Sequence, residues 1–172
     1  MISRMDRTIT KLALNSRLVV ILLQYVSNVI IPDHEAGVFV SPQNRTEYSS
    51  ADKTVYHFLG GFLRWDAQYF MHIAIYGYTY ENTLAFFPLY PLTVRFFAFV
   101  LYPILPSLSF NSTVLLTSIV LNIILFVFSA KLLYKLSAII FEEDVAYKST
   151  LLFIFNPASV FFSAPYSEFS IN

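Results

Sequence analysis

Apolar residues fall into four long stretches, and shorter polar segments separate them. The stretches cover residues 12–31, 84–105, 113–134 and 149–166. A helix of roughly 20 mostly apolar residues is long enough to cross the hydrocarbon of a bilayer. The pattern therefore predicts an all-α integral membrane protein, a bundle in which residues 12–31, 113–134 and 149–166 each form a transmembrane helix.

The second stretch, residues 84–105, is less regular than the other three. It contains Pro88, Pro91 and Pro103, together with the charged Arg95. Proline interrupts the hydrogen bonds of a helix, and irregular backbone at membrane depth is tolerated only against protein or a water-filled cavity. We expect either a second span with a proline kink or a re-entrant segment, whose aromatic residues then line a cleft.

Charged residues around the first stretch predict its orientation. The cations there are Arg4, Arg7, Lys11 and Arg17, and the accompanying anion is Asp6. Because cytosolic segments are enriched in lysine and arginine, residues 1–11 are predicted to be cytosolic. Arg17 is expected near the cytosolic end of the span, with its side chain reaching up to the headgroups. A cleaved signal peptide is the alternative, and the lack of a small-x-small cleavage site after Ile31 disfavours it.

Residues 32–83 then form a lumenal loop. An excess of acidic side chains and a glycosylation sequon at Asn44 agree with that placement. Lys131 and Lys135, at the end of the third stretch, leave one question open. They are lumenal if residues 84–105 cross the membrane, and cytosolic if those residues do not cross.

Composition supports the membrane class and removes several others. With 56% hydrophobic and 13% charged residues and a mean hydropathy of +0.60, the chain is too apolar for one soluble core. The net charge is zero, so no nucleic-acid partner is indicated. The absence of cysteine removes disulfides and cysteine nucleophiles. His34, His57 and His72 show no metal-ligand spacing, so no metal site is expected.

Residues 55–76 of the loop have the periodicity of an amphipathic helix lying in the membrane interface. The recurring large residues are Phe58, Phe62, Trp65, Tyr69 and Ile73. Aromatic residues commonly anchor a helix at headgroup depth, which is the simplest explanation for most of them. Asp66 differs, because a carboxylate at the edge of a low-dielectric region costs free energy unless it is paired or used. His72 either lines the same pocket or is a satisfied interfacial histidine.

Several motifs, in a fixed order, carry a resemblance to a known family. They are Arg64-Trp65-Asp66-Ala67, His72-Ile73-Ala74, Gly77-Tyr78, Ala85-Phe86-Phe87-Pro88-Leu89-Tyr90-Pro91 and Phe155-Asn156-Pro157-Ala158-Ser159-Val160-Phe161-Phe162-Ser163-Ala164-Pro165-Tyr166-Ser167-Glu168. From Phe58 onward the chain resembles the PIG-V family of GPI mannosyltransferases. The resemblance implies a multi-pass enzyme of the GT-C type in the endoplasmic reticulum membrane. Such an enzyme transfers the second mannose, in alpha-1,6 linkage, from dolichol-phosphate-mannose to the GPI precursor.

The resemblance also implies a mechanism, with Asp66 as the catalytic residue. Because the donor is beta-linked and the product alpha-linked, transfer inverts the anomeric centre and needs one base near the acceptor hydroxyl. The leaving dolichyl phosphate needs positive charge, which Arg64 or Arg95 could supply. No cofactor is expected beyond the donor substrate. The expected partners are the two lipid-linked substrates and, in addition, a small membrane subunit.

Further residues are expected to bind substrate. They are Arg64, Trp65, Tyr69, His72, Phe87, Pro88, Tyr90, Arg95, Asn156 and Glu168, with Phe86 beside them. A structural role stays open for Arg95 as a snorkelling cation, and for Asn156 and Glu168 at a helix end. Members of the family are several hundred residues long, so the alternative is a truncated, non-catalytic membrane protein that binds a partner subunit or a lipid. Catalysis that depends on Asp66 would distinguish the two.

Overall fold

The computed structural model describes residues 2–31, 39–42 and 48–167, and these residues form six α-helices. The helices are α1 (Ile2–Ile30), α2 (Ser50–Leu59), α3 (Asp66–Tyr76), α4 (Leu89–Leu101), α5 (Phe110–Ile140) and α6 (Glu143–Ile154). Short 3-10 turns lie at Gly60–Phe62, Glu81–Ala85 and Tyr102–Ile104. No strand occurs within the described ranges, which confirms the predicted all-α class.

Among the described residues, two helices are long and apolar enough to cross a bilayer. They are Arg4–Ile30 within α1 and Phe110–Ile140, which is α5. Both exceed the predicted stretches 12–31 and 113–134. The polar start of α1 is helical because its Ile9 and Ala13 are fully buried against α5 and α6. At its start α5 is capped by Ser109, whose side chain accepts a hydrogen bond from the backbone N–H of Ser112.

Residues 84–105 do not form one continuous helix. Only Leu89–Ile104 is an apolar helical segment, and it is about 24 Å long at 1.5 Å per residue, short of the roughly 30 Å of hydrocarbon. Pro88 precedes it at the N-cap position. Its last ring, Tyr102, lies 5.7 Å from the ring of Phe110 at the start of α5. The segment therefore ends beside the start of α5.

The predicted fourth span, residues 149–166, is helical only as far as Ile154. Pro157 has no N–H to continue the helix, and it disfavours helical backbone at Asn156. The Asn156 side chain instead accepts a hydrogen bond from the N–H of Ala158 at 2.8 Å and closes a local turn. Residues 155–167 then run as a chain of turns.

The predicted interfacial helix, residues 55–76, is two helices separated by a break. The chain leaves α2 through Gly60 and Gly61 and enters α3 at Asp66. Its apolar residues do not share one face: Phe62 and Ile73 are buried, whereas Phe58 and Trp65 are exposed. The apolar residues keep a helical spacing on both sides of the break and across it. Periodicity alone therefore did not reveal that the helix is interrupted.

Asp52 in α2 ties the start of α2 to the start of α5. Its carboxylate accepts hydrogen bonds from the N–H of Ser49 at 3.0 Å, and from the N–H and the Oγ of Ser109, both at 2.8 Å. Burial alone would raise the pKa of Asp52, but hydrogen bonds from Ser112, Ser109 and Ser49 outweigh it and lower the pKa. One carboxylate thus caps two helices and fixes α2 against the bundle.

Helices α1 and α5 run antiparallel. Lys131 Nζ lies 2.8 Å from a carboxylate oxygen of Asp6, and Lys135 Nζ lies 4.0 Å from the other oxygen. Both lysines are therefore at the same end as the start of α1, the end that the charge pattern predicts to be cytosolic.

Arg17 was predicted to reach the headgroups, and this prediction is wrong. Its side chain is 1% exposed and lies between two apolar clusters that follow one another along α5. One cluster joins α3, α4 and the first half of α5, and the other joins the first half of α1 to α6. The guanidinium carbon lies 3.8 Å from the centre of the Phe126 ring. The arginine points inward because protein oxygens there accept its hydrogen bonds, as described below.

Candidate active site

A tight turn precedes α3 and presents Trp65 and Asp66. The Ala67 N–H donates to the carbonyl oxygen of Arg64 at 3.1 Å, which closes a four-residue turn. Trp65 has φ 51° and ψ −128°, and it is the one non-glycine residue with positive φ in the described part of the chain. These angles are those of the first central residue of a type II′ turn, a position that favours glycine. A tryptophan there costs about 1–3 kcal/mol of backbone strain.

Asp66 is the first residue of α3 and is exposed. Its carboxylate makes no hydrogen bond or ion pair with any other described residue. It opens into a cavity of about 390 Å³ whose lining is Asp66, Phe70, Ala85, Phe86, Phe87, Tyr166 and Ser167. Among these residues Asp66 alone is charged. The cavity thus presents one carboxylate against a largely aromatic wall.

The aromatic wall is held by ring stacking. Tyr69 stacks on Phe86 with ring centres 4.6 Å apart, and Phe70 meets Phe86 edge-on at 5.1 Å. Tyr90 lies under Phe70, 5.4 Å away, and is only 4% exposed. Phe86 and Phe87 therefore face the cavity, whereas Tyr69 and Tyr90 form the layer behind it.

Arg64 lies beside the Asp66 cavity and connects it to α1. Its Nη2 donates to Oδ1 of Asn28 at 3.1 Å, and its carbonyl oxygen accepts from the Tyr166 hydroxyl at 2.9 Å. Asn28 borders a second cleft of about 490 Å³ between α1 and residues 157–160. Gly61 lies in that cleft, where the amide of Gln24 occupies the space that a Cβ at residue 61 would need. Arg64 thus contacts one lining residue of each cavity, Tyr166 at the Asp66 cavity and Asn28 at the cleft beside α1.

Other predicted site residues are not brought to the cavity. Arg95 lies on the outer face of α4, beside Leu92 and Phe96. Asn156 is exposed and its side chain serves the local turn. Pro88 borders a neighbouring cavity of about 290 Å³ next to Phe87. Asn44 and Glu168 lie outside the described residues.

His72 is buried and holds the loop over α3. Its Nδ1 lies 2.9 Å from the Ser41 hydroxyl, and its Nε2 lies 2.6 Å from the Thr79 hydroxyl. The Phe39 ring packs edge-on against it at 5.3 Å. His72 does not line the Asp66 cavity, and burial lowers its pKa. Of the two roles expected for His72, lining the pocket or being a satisfied interfacial histidine, the geometry favours the second.

Stability should therefore depend on pH through His72. Since its folded pKa is lowered, the unfolded chain binds more protons below the ordinary value near 6.5, and stability is lost as the pH falls through that region. We expect the thermal unfolding midpoint in detergent to drop from pH 7 to 5.5 more steeply for the wild type than for His72→Gln. His57→Gln, at an exposed histidine, serves as the control and should keep the wild-type profile. Equal slopes in all three proteins would contradict the assignment.

Sequence reasoning assigned Arg17 to the headgroups, did not single out Asn122, and gave Tyr166 no specific role. Asn122 Nδ2 donates to the carbonyl oxygens of Ala164 and Tyr166, and both Arg17 and Asn122 are 1% exposed. A cation or an amide inside an apolar helix was the available signal, because such a residue is expensive in a membrane unless it has a partner. The partners come from a distant part of the chain, which the sequence pattern does not show.

Together, fold and site define a class: an all-helical membrane protein with a lone carboxylate at an aromatic cavity. The chain belongs to the PIG-V mannosyltransferase family, matching the family described as Mannosyltransferase (PIG-V) over residues 6–171. It is 44% identical over 166 residues to GPI mannosyltransferase 2 of Drosophila melanogaster, covering 95% of this chain and 37% of the relative. It is 36% identical over 163 residues to GPI alpha-1,6-mannosyltransferase 2 of Homo sapiens. That match covers 94% of this chain and 33% of the human protein.

The rat protein of the same name gives 38% identity over 164 residues, with 95% of this chain and 33% of the relative covered. The chain therefore spans about a third of the length of these curated relatives. No solved structure matches it. The resemblance seen in the motifs is confirmed.

Proposed function

We propose that this chain forms the carboxylate-bearing part of a GPI mannosyltransferase of the endoplasmic reticulum membrane. The transferred sugar is the second mannose, joined in alpha-1,6 linkage, and it passes from dolichol-phosphate-mannose to the GPI precursor. Support comes from the family, from the names of the relatives and from one structural observation. That observation is the Asp66 carboxylate, which has no partner among the described residues and opens into the aromatic cavity.

In the proposed reaction Asp66 is the general base. The acceptor hydroxyl oxygen attacks the anomeric carbon, the bond from that carbon to the phosphate oxygen breaks, and dolichyl phosphate leaves with the electron pair. The hydroxyl proton passes to Asp66. One displacement inverts the anomeric centre, so a second carboxylate acting as nucleophile is not required. Asp66 is the first residue of α3, so its carboxylate lies beside the partial positive charge of the helix N-terminus.

Arg64 is the proposed binder of the leaving phosphate. Its guanidinium is already directed to the cleft beside α1 through Asn28, and planar guanidinium groups bind phosphate oxygens with two parallel hydrogen bonds. Arg64 is preferred to Arg95 for this role because Arg95 does not line the cavity and instead lies among Leu92, Phe96 and Phe99. The cleft beside α1, whose Asn28 accepts a hydrogen bond from Arg64, is the proposed site for a second lipid-linked substrate.

The proposed topology places the Asp66 cavity at the lumenal side. The start of α1 would be cytosolic, α1 and α5 would cross, and α4 would enter and leave on the lumenal side. Exposed apolar side chains such as Leu22, Phe99 and Ile124 would then face lipid, a small membrane subunit or further helices of the GT-C type. The remaining alternative, a non-catalytic membrane protein, needs no exposed carboxylate in an aromatic cavity.

The proposal is tested by exchanging this chain for the equivalent third of a relative. A chimera carries residues 6–171 in place of the matching N-terminal region of the Drosophila melanogaster relative, and it is expressed in cells that lack GPI mannosyltransferase 2. We expect it to restore surface GPI-anchored proteins, measured by flow cytometry. A chimera that reaches the membrane at normal levels and restores nothing would contradict the proposed function.

A further inference from the structure

Arg17 is the middle residue of the candidate span Arg4–Ile30, and it is buried. Its Nη1 donates to the Ser159 carbonyl oxygen at 2.6 Å and to the Ser163 hydroxyl at 3.2 Å. Its Nη2 lies 3.5 Å from the Ile154 carbonyl oxygen, at the end of α6. No carboxylate among the described residues pairs with it. An ionised group at that depth is expensive, so its placement points to a function.

The acceptors explain the placement. A helix that ends inside a membrane leaves carbonyl groups without intrahelical partners, and lipid cannot supply any. Here α6 ends at Ile154, and the following turns bring the Ser159 carbonyl to the same guanidinium. A guanidinium has five donors and no acceptor, so it can satisfy several such oxygens at once. Arg17 therefore holds the first half of the irregular segment 155–166 against α1.

Asn122 of α5 holds the second half. Its side-chain amide donates to the Ala164 carbonyl and, at 3.3 Å, to the Tyr166 carbonyl. Tyr166 in turn donates its hydroxyl hydrogen to the Arg64 carbonyl oxygen at 2.9 Å. That carbonyl is the acceptor of the hydrogen bond that closes the turn containing Trp65 and Asp66. The path runs through successive protein contacts from the centre of α1 to the Asp66 turn.

We propose that Arg17 and Asn122 are positioning residues for Asp66. They fix segment 155–166 at membrane depth, and Tyr166 of that segment fixes the strained turn that presents Asp66 to the cavity. The catalytic consequence of this inference rests on the proposed function, whereas the positioning itself does not. Without Arg17 the carbonyls of Ile154 and Ser159 must find other partners, segment 155–166 shifts, and the Tyr166–Arg64 hydrogen bond is lost.

The chain provides its own reporter, because Trp65 is its single tryptophan. The purified 172-residue chain is placed in phosphatidylcholine nanodiscs, and the fluorescence anisotropy of Trp65 is measured beside the far-UV circular dichroism. We expect Arg17→Met and Tyr166→Phe each to lower the anisotropy with the helical signal retained. Arg17→Lys, which keeps a donor, should recover part of the loss. Lys11→Met removes an exposed cation from the same helix and should change nothing.

Unchanged Trp65 anisotropy in a folded Arg17→Met protein would overturn the inference. If Arg17→Met does not fold, the anisotropy of Trp65 is measured in Asn122→Leu and Ser163→Ala instead. Unchanged anisotropy in both of these variants would overturn the inference. In the chimera described above, a displaced base should lower kcat for mannosyl transfer by about 10-fold or more with a smaller change in KM. Mannosyl transfer that survives Asp66→Asn would contradict the proposed function. It would leave the positioning inference standing, since the anisotropy test does not depend on activity.

Discussion

Replacing Asp66 by asparagine should reduce mannosyl transfer by about 10²–10⁴-fold, the usual contribution of a general base. Asparagine has nearly the same shape and cannot accept the proton. The carboxylate has no described partner and is exposed, so its loss should leave the fold intact. The measurement is transfer of radiolabelled mannose to GPI precursors in membranes from cells that express the chimera, normalised to the amount of chimera.

The matched control is Glu81→Gln, which removes an exposed carboxylate from the 3-10 turn Glu81–Ala85 outside the Asp66 cavity. It should transfer mannose at the unmodified rate. Equal activity of the Asp66→Asn and unmodified chimeras would exclude Asp66 as the base. A loss shared by Asp66→Asn and Glu81→Gln would indicate a general effect of charge in this region.

Replacing Trp65 by glycine should separate stability from function. Glycine adopts the II′ turn without steric cost, which relieves about 1–3 kcal/mol of strain, and the greater freedom of glycine in the unfolded chain offsets roughly 0.5–1 kcal/mol of that gain. We therefore expect a higher thermal unfolding midpoint in detergent. We also expect transfer to fall by about 10-fold or more, because the site loses an aromatic face beside Asp66 and the turn loses its fixed geometry.

Trp65→Phe provides the comparison. It keeps a side chain in the strained conformation and keeps an aromatic face, so both stability and transfer should stay closer to those of the unmodified protein. A Trp65→Gly chimera that is less stable, yet transfers mannose normally, would contradict both parts of the argument. The strain would then have no connection with the chemistry of the site.

Several elements of the site could be found from the sequence because their signals are local. Asp66 was identified because an ionisable side chain in apolar surroundings costs free energy unless it is used. Phe86 and Phe87 were expected at a cleft because Pro88 and Pro91 interrupt the backbone beside them, and both phenylalanines do line the Asp66 cavity.

Other predictions lacked the information that contacts supply. Arg17 was expected to reach the headgroups because a lone cation near the end of an apolar stretch usually does so. Its acceptors, at Ser159 and Ser163, are more than 140 positions away in the chain. The helix break before Asp66 was hidden because apolar residues kept a helical spacing across Gly60 and Gly61.

The sequence by itself determined that this is an all-helical membrane protein of the PIG-V family with a functional candidate at Asp66. Hydrophobic run length, charge bias and ordered motifs are properties of neighbouring residues, so they survive without a structure. Only the tertiary structure decided that Asp66 opens into a cavity with Tyr166, that His72 is engaged elsewhere and that Arg17 faces inward. Each of these depends on which distant segments pack together, and side-chain partners at long sequence separation are fixed by packing and hydrogen bonding in three dimensions.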